Sequence, residues 1–213
     1  MAMGHIIGER GAQTRDELLA QATLRFSERG YRDTSVSQIA RDVGLKQAAV
    51  YRYFPSKEAL FDAAVLADME AVIAAAFDAP IPLPFPDALP GFFLRIQATA
   101  DEHPLISRVL ANQEPGVLAR LVDSPTVRTF EGALREQMRE GQHKGEIRSD
   151  IDIDLVARGY ETIIFALLIA RASTGPDPHA SGIAGVLAVT DAALRPAAVV
   201  APSPNSETSN PHP

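Results

Sequence analysis

The chain contains no cysteine and no tryptophan, and aromatic residues make up only 6 % of it. Without cysteine there is no disulfide, no zinc–thiolate site and no thiol catalysis. Long apolar runs are also missing. The longest, Ile163–Ala170, falls far short of the roughly 20 residues that a membrane-spanning helix needs. The amino-terminal MAMGHIIGERGA lacks the apolar core of a secretion signal, so a cytoplasmic protein without a membrane segment is expected. Catalytic signatures are absent as well. There is no G-x-S-x-G, no phosphate-cradling glycine loop and no H-E-x-x-H. The five histidines lie far apart, none at the close spacing of a helical metal site. Asp150, Asp152 and Asp154 alternate with isoleucine but lack the spacing and hinge glycine of a calcium loop, and helix capping is the simpler reading. No catalytic residue, metal ligand or cofactor is expected.

What remains is an acidic, half-apolar chain of 213 residues with 46 % hydrophobic content, long enough for one small and one mid-sized module. Its net charge of −7 argues at first against nucleic acid, yet the charge is divided unevenly. Residues 1–57 hold nine Lys/Arg against six Asp/Glu, a net +3, and residues 58–213 hold eleven against twenty-one, a net −10. The basic part is where phosphate contact is expected.

That part contains TSVSQIARDVGLKQAAVYRYFPSK, residues 34–57. Ser35 with Gln38 three residues later fits a capping box. Ile39, Ala40 and Val43 form an apolar face at helical spacing, and Gly44 suits the left-handed turn that ends a helix. A second helix is expected over Lys46–Phe54, stopped by Pro55, with Ser56 capping the next. Two short helices at a tight glycine turn form a corner that sets the second helix in a major groove. Lys46 can donate to guanine edges or phosphate and Gln47 can pair with adenine at two points. Ala48 and Ala49 allow close approach. Tyr51, Arg52 and Tyr53 supply donors at the helix end, Ser35 and Ser37 offer hydroxyls at the start of the first helix, and Lys57 adds a charge across the corner.

A glycine turn between amphipathic helices also describes an ordinary bundle corner. The whole string is more specific. TRDELLAQATLRFSERGYRDTSV, IARDVGL and VYRYFPSKEALF, spanning about residues 14–66, resemble the tetracycline-repressor-like (TetR) family of bacterial transcription regulators. The resemblance implies base-facing or near-base positions for Ser37, Gln47, Ala48, Ala49 and Tyr51, and phosphate contacts for Tyr53 and Lys57. Many members carry Gly or Pro at the position of Ala48 and Ser or Thr at that of Ala49. Alanine at both shifts base reading onto Lys46, Gln47 and Arg52.

Along the chain, residues 1–12 read as a loose arm and 13–57 as the helix-turn-helix domain. Residues 58–196 read as a helical effector-binding and dimerisation domain, and the Pro/Ser/Asn-rich 197–213 as a disordered tail. Within the larger module, Lys57–Phe77 forms a lever helix and PIPLPFPDALP, residues 80–90, forms a loop. Helices follow over 87–102, 104–112, 116–122 and 125–143, with Gly141 and Gly145 ending the last of these. The next begins at an Asp152 cap and becomes apolar all round at IIFALLIA, and a final small-residue helix covers about 179–195. Those two helices are expected to form a homodimer's four-helix interface, as in the family. A ligand cavity is implied by the resemblance. Its candidate lining is Phe92, Phe93, Ile96, Phe130, Leu134, Met138, Tyr160 and Phe165, with Gln97, His103 and Asn112 as polar candidates.

The sequence thus predicts an all-α chain, an N-terminal three-helix DNA-binding module followed by a larger helical module. It is expected to act as a homodimeric regulator, a repressor released from a near-palindromic double-stranded operator by a small-molecule effector. The rival is a DNA-bound scaffold that recruits a protein partner without a small ligand. A helical-bundle enzyme finds no support in the motifs.

Overall fold

The computed structural model describes residues 2–77, 85–114, 116–174 and 180–196. Among them there are ten helices and no strand. They are α1 (Ala2–Asp33), α2 (Val36–Asp42), α3 (Gln47–Val50), α4 (Lys57–Phe77), α5 (Phe85–Glu102), α6 (Pro104–Leu110), α7 (Val117–Val122), α8 (Pro125–His143), α9 (Ile153–Thr174) and α10 (Ala180–Leu194). The tail expected over 197–213 lies outside the described residues.

The expected loose arm over 1–12 is, from Ala2 onward, the first turns of α1. Glycine lowers helix propensity by about 1 kcal/mol without blocking the conformation, and extending a helix that already exists is far easier than nucleating one. The Thr14 hydroxyl donates back to the Arg10 carbonyl at 2.8 Å. Gly30 breaks α1, at φ 75° and ψ 178°. Leu18, Ala22 and Phe26 are fully buried on the inner face of α1, one helical turn apart.

Helix α4 starts where Pro55 and Ser56 predict, with the Ala59 amide donating to the Ser56 hydroxyl at 3.0 Å. Over its 21 residues it reaches roughly 30 Å at ~1.5 Å per residue. Leu60 and Phe61 pack into the small module and Met69, Val72 and Ala76 into the large one. Each such large apolar side chain contributes about 1.5–3 kcal/mol on burial. One rigid element therefore crosses both cores.

The proline-rich stretch departs from expectation. From Phe85 the chain is already helical, with Pro86 and Pro90 inside α5; residues 80–84 lie outside the described residues. Proline in a first turn loses no hydrogen bond, because those amides have no helical partner. The Phe85 amide instead donates to Glu146 Oε2 at 3.3 Å, and the Phe85 side chain is fully buried. Pro90 lacks only the one N–H that would have met the Pro86 carbonyl.

Helix α8 is capped by Ser124, whose hydroxyl accepts from the Val127 amide. Gly145, at φ 74°, ends it. Gly141 does not: it is a buried position within α8, where an added Cβ would come within 3.1 Å of Ile147 Cδ1. Asp152 caps α9, accepting from the amides of Asp154 at 2.9 Å and Leu155 at 3.2 Å. The large core is aromatic at its centre, with Phe92 stacked on Phe130 at 6.4 Å and Phe77 against both at 5.2 and 5.8 Å. The outer face of α10 stays apolar: Val189 is 70 % exposed, and Ala184, Gly185, Ala188 and Ala192 are exposed too, while the outer side of α9 mixes Leu155 with Asp154, Arg158 and Thr162.

Candidate nucleic-acid interface

The small module is held by a core of Leu18, Ala22, Phe26, Val36, Ile39, Ala40, Val50, Phe54, Leu60 and Phe61, each no more than 5 % exposed. Phe26 and Phe61 meet edge to face at 4.8 Å. Arg25 of α1 ties down α2, its Nε donating to Asp42 Oδ2 at 2.8 Å. The pair raises the already high pKa of the Arg25 guanidinium, the Asp42 hydrogen bond being the main cause.

The turn between α2 and α3 forms as its residues predict. Gly44 takes φ 71°, the left-handed region that glycine reaches without strain. Its amide donates to the Arg41 carbonyl at 3.0 Å, and the Leu45 amide donates to that of Ala40 at 2.7 Å. The capping box does not form. The Ser35 side chain makes no cap bond; its hydroxyl pairs with that of Ser37 at 2.7 Å. The Gln38 and Ile39 amides donate to the Ser35 carbonyl instead.

The recognition helix is shorter than expected. Regular helix covers Gln47–Val50, with Lys46 as N-cap, and the chain continues to Tyr53 as turns. The Arg52 amide donates to the Ala49 carbonyl at 3.3 Å and that of Tyr53 to the Val50 carbonyl at 2.9 Å. The Phe54 amide still donates to the Val50 carbonyl at 3.0 Å, and Pro55 stops the turns there by disfavouring helical backbone at Phe54.

On the outer side, Lys46, Gln47, Ala48, Tyr51 and Arg52 are exposed and Ala49 is half-buried. Gln47 Nε2 donates to the Tyr51 hydroxyl at 3.2 Å, so these side chains share one outward face a helical turn apart. Ser35 is exposed and Ser37 half-buried at the start of α2. Tyr53 is half-buried. Lys57 does not stand free at the corner. Its ammonium donates to the Arg32 carbonyl at 3.2 Å and lies 4.6 Å from the centre of the Tyr31 ring. Burial holds its pKa below the usual lysine value, partly offset by the charges of Asp33 and Glu114. A lysine stem this long folds onto the nearest aromatic face when that face lies across the corner.

In the large module the predicted lining residues gather but remain packed. Phe92, Phe93 and Tyr160 border a slot of about 20 Å³ between α5, α9 and α10. Ile96, Phe130 and Phe165 border a second of about 20 Å³ beside α4, and Ile164 lines both. Leu134 and Met138, fully buried, line none of these spaces. Gln97 is buried with its Nε2 unpartnered, and so is the Tyr160 hydroxyl. His103 is committed to Asp68 at 2.6 Å, and Asn112 takes φ 54° at the end of α6. Sequence reasoning missed a groove of about 230 Å³ where Val65 and Leu66 of α4 face Val117, Arg120 and Leu121 of α7. Helical periodicity names each helix's inner face but not where a short helix such as α7 leaves a gap.

The family profile for bacterial regulatory proteins of the tetR family matches residues 18–64. The HTH-type transcriptional regulator UidR of Escherichia coli strain K12 is 31 % identical over 150 residues, covering 68 % of this chain and 74 % of that protein. The HTH-type transcriptional repressor KstR2 of Mycolicibacterium smegmatis is 32 % identical over 159 residues, covering 69 % and 74 %. The solved structure of the ketosteroid transcriptional regulator KstR2 of Mycobacterium tuberculosis superposes with a TM-score of 0.51 at 25 % identity, covering 85 % of this chain and 95 % of that one.

Proposed function

Because this chain belongs to the TetR family of bacterial transcription regulators, we propose that it is a homodimeric repressor released from a near-palindromic operator by a small molecule. The observation that carries the reading is the outward face of Gln47, Ala48 and Tyr51, on the one module with net positive charge. Gln47 reads adenine, Lys46 reaches guanine edges or phosphate, Arg52 at the helix end neutralises phosphate, and Ser35, Ser37, Tyr51 and Tyr53 fix the register on the backbone. Lys57, held inside the corner, shapes that register from behind. With a net +3 per head, useful affinity calls for two heads, set about one helical turn or ~34 Å apart. The exposed apolar face of α10, centred on Val189, forms with α9 the surface for the second copy.

The effector is an apolar molecule. It opens the two slots that meet at Ile164 and tilts α4, changing the separation of the heads. KstR2, similar to this chain, is a ketosteroid transcriptional regulator, which fits an apolar ligand. A second reading, the ligand-free scaffold, is favoured by the same slots, since about 20 Å³ each is far below the roughly 300 Å³ of a typical ligand pocket. We place the protein in the cytoplasm; no helix among the described residues is long and apolar enough to cross a membrane. Selection of duplex DNA by the full chain from a random library tests the regulator reading.

A further inference from the structure

We propose that Glu114, in the corner between α6 and α7, is a positioning residue for DNA recognition: it grips the joint of α1 at Gly30 and so fixes the angle of the DNA-binding module on the body. The proposal rests on the reading that this module binds DNA.

The argument starts at the glycine. At φ 75° and ψ 178°, Gly30 takes a backbone conformation almost confined to glycine, and α1 breaks there. The break leaves the Tyr31 amide without a helical acceptor. A buried amide must find one. It donates to Glu114 Oε1 at 3.1 Å, a carboxylate from 83 residues further along the chain and from the other module. Glu114 is buried, at 7 % exposure. Its charge is balanced by Arg108 of α6, with Nη2 3.4 Å away. Glu114 and Arg108 close directly over the glycine: a Cβ there would lie 2.6 Å from both Arg108 Nη2 and Glu114 Oε1, so both side-chain ends would have to withdraw from the joint. Asn112, left-handed at φ 54°, turns the chain after α6 and so sets Glu114 toward the joint.

The grip extends to the recognition corner. The Tyr31 ring packs on Phe61 at 5.1 Å and carries the Lys57 ammonium at 4.6 Å. Lys57 begins α4, two residues after the Pro55 that ends the recognition turn. The head thus meets the body through the covalent continuity of α4, through the packing of α1 on α6 and through a charge-assisted bond from the α6–α7 corner. Apolar packing is non-directional and tolerates small changes of angle. The directional bond at the joint fixes the angle, and a shift of α6 reaches the head without passing along α4.

The chain has no cysteine, so two introduced ones are its only thiols. Ala20→Cys on the exposed side of α1 and Glu136→Cys on α8, with a side chain 76 % exposed, carry spin labels on head and body. Labelled chain is diluted into unlabelled chain, and the distance distribution is read by pulsed electron resonance, with melting temperature and helical dichroism alongside. Glu114→Ala should widen the distribution by about twofold or more, as a second orientation becomes populated. Glu114→Gln, whose amide oxygen still accepts from Tyr31, should keep it narrow. On duplex DNA selected by the wild-type chain, Glu114→Ala should bind about 10-fold more weakly, because only the competent orientation binds. Should Glu114→Ala not fold, Glu114→Asp, too short to reach the Tyr31 amide, reads the same point. An unchanged distribution in a folded Glu114→Ala or Glu114→Asp variant would overturn the proposal. A wild-type chain that selects no DNA would instead count against the functional reading, and the distance measurement would still decide the role of Glu114.

Discussion

His103 Nδ1 lies 2.6 Å from Asp68 Oδ1, and the other oxygen of the same carboxylate accepts the Ile106 amide at 3.0 Å. Asp68 is buried on α4, so one carboxylate satisfies both the residue that precedes α6 and an amide of its first turn. An acid at a helix amino terminus is favoured by the exposed amides there. The pair therefore locks the lever helix to α6 at mid-length. Removing the acid leaves a buried amide and an imidazole without their partner. Asp68→Ala should cost about 2–4 kcal/mol of stability by chemical denaturation, and Asp68→Asn, which can still accept from Ile106, distinctly less. A loss below about 1 kcal/mol in the alanine variant, the net worth of one ordinary hydrogen bond, would mean that the α4–α6 contact is held by apolar packing alone.

Gln47 and Arg52 should separate on DNA. Gln47→Ala removes a base-reading amide and should flatten preference at one position of each half-site by about 1–3 kcal/mol, leaving the dependence on salt intact. Arg52→Ala should weaken all sequences together and lower the salt slope by about one for each phosphate that is no longer neutralised. Binding isotherms of both variants on matched and mismatched duplexes at several salt concentrations check this. Indistinguishable behaviour of the two would refute the assigned roles.

Burial pushes the Tyr160 phenol up to about 12 from its ordinary 10, with the charge of Asp191 adding and the nearby Thr190 hydroxyl offsetting part. The folded state then holds its proton more tightly than the unfolded chain. The resulting stability is fully present below about pH 10, falls as pH rises from there and is lost through about 12. Tyr160→Phe should remove that alkaline loss, read as melting temperature against pH. At neutral pH the same substitution should change stability by no more than about 1 kcal/mol, the net worth of one ordinary hydrogen bond, because the contact with Thr190 is all that the hydroxyl would lose.

The apolar outer face of α10, together with α9, should hold two copies together. Val189→Asp places a charge at a position 70 % exposed in the single chain. It should therefore leave the fold intact while shifting sedimentation from dimer to monomer at micromolar concentration. A wild-type chain that sediments as a monomer would refute the dimer directly.

Much of this is legible in the residues because it depends on local chemistry. Pro55 with Ser56 marks the start of α4, Gly44 the turn and Asp152 the cap of α9, each acting within a few residues of itself. What the residues do not disclose falls into two kinds. Some local signals have equal competitors: Ser35 fits a capping box, yet its hydroxyl meets Ser37, and Pro86 reads as a breaker although a first turn tolerates it. The other kind is pairing at a distance. Nothing in the spacing of Asp68 and His103, or of Tyr31 and Glu114, indicates contact across 35 and 83 residues. Helical periodicity names a buried face but not its partner. Phe92, Phe130 and Tyr160 are therefore recognisable as inward side chains, while the near closure of the space between them is not.

The most direct test of the central claim is selection of duplex DNA from a random library by the full chain, followed by titration of the enriched sequence against salt. The account predicts a near-palindrome of two half-sites about 10 base pairs or somewhat more apart, centre to centre, with affinity falling steeply with salt and base preference lost at one position in Gln47→Ala. Enrichment of no sequence, or binding that ignores both salt and Gln47, would contradict it.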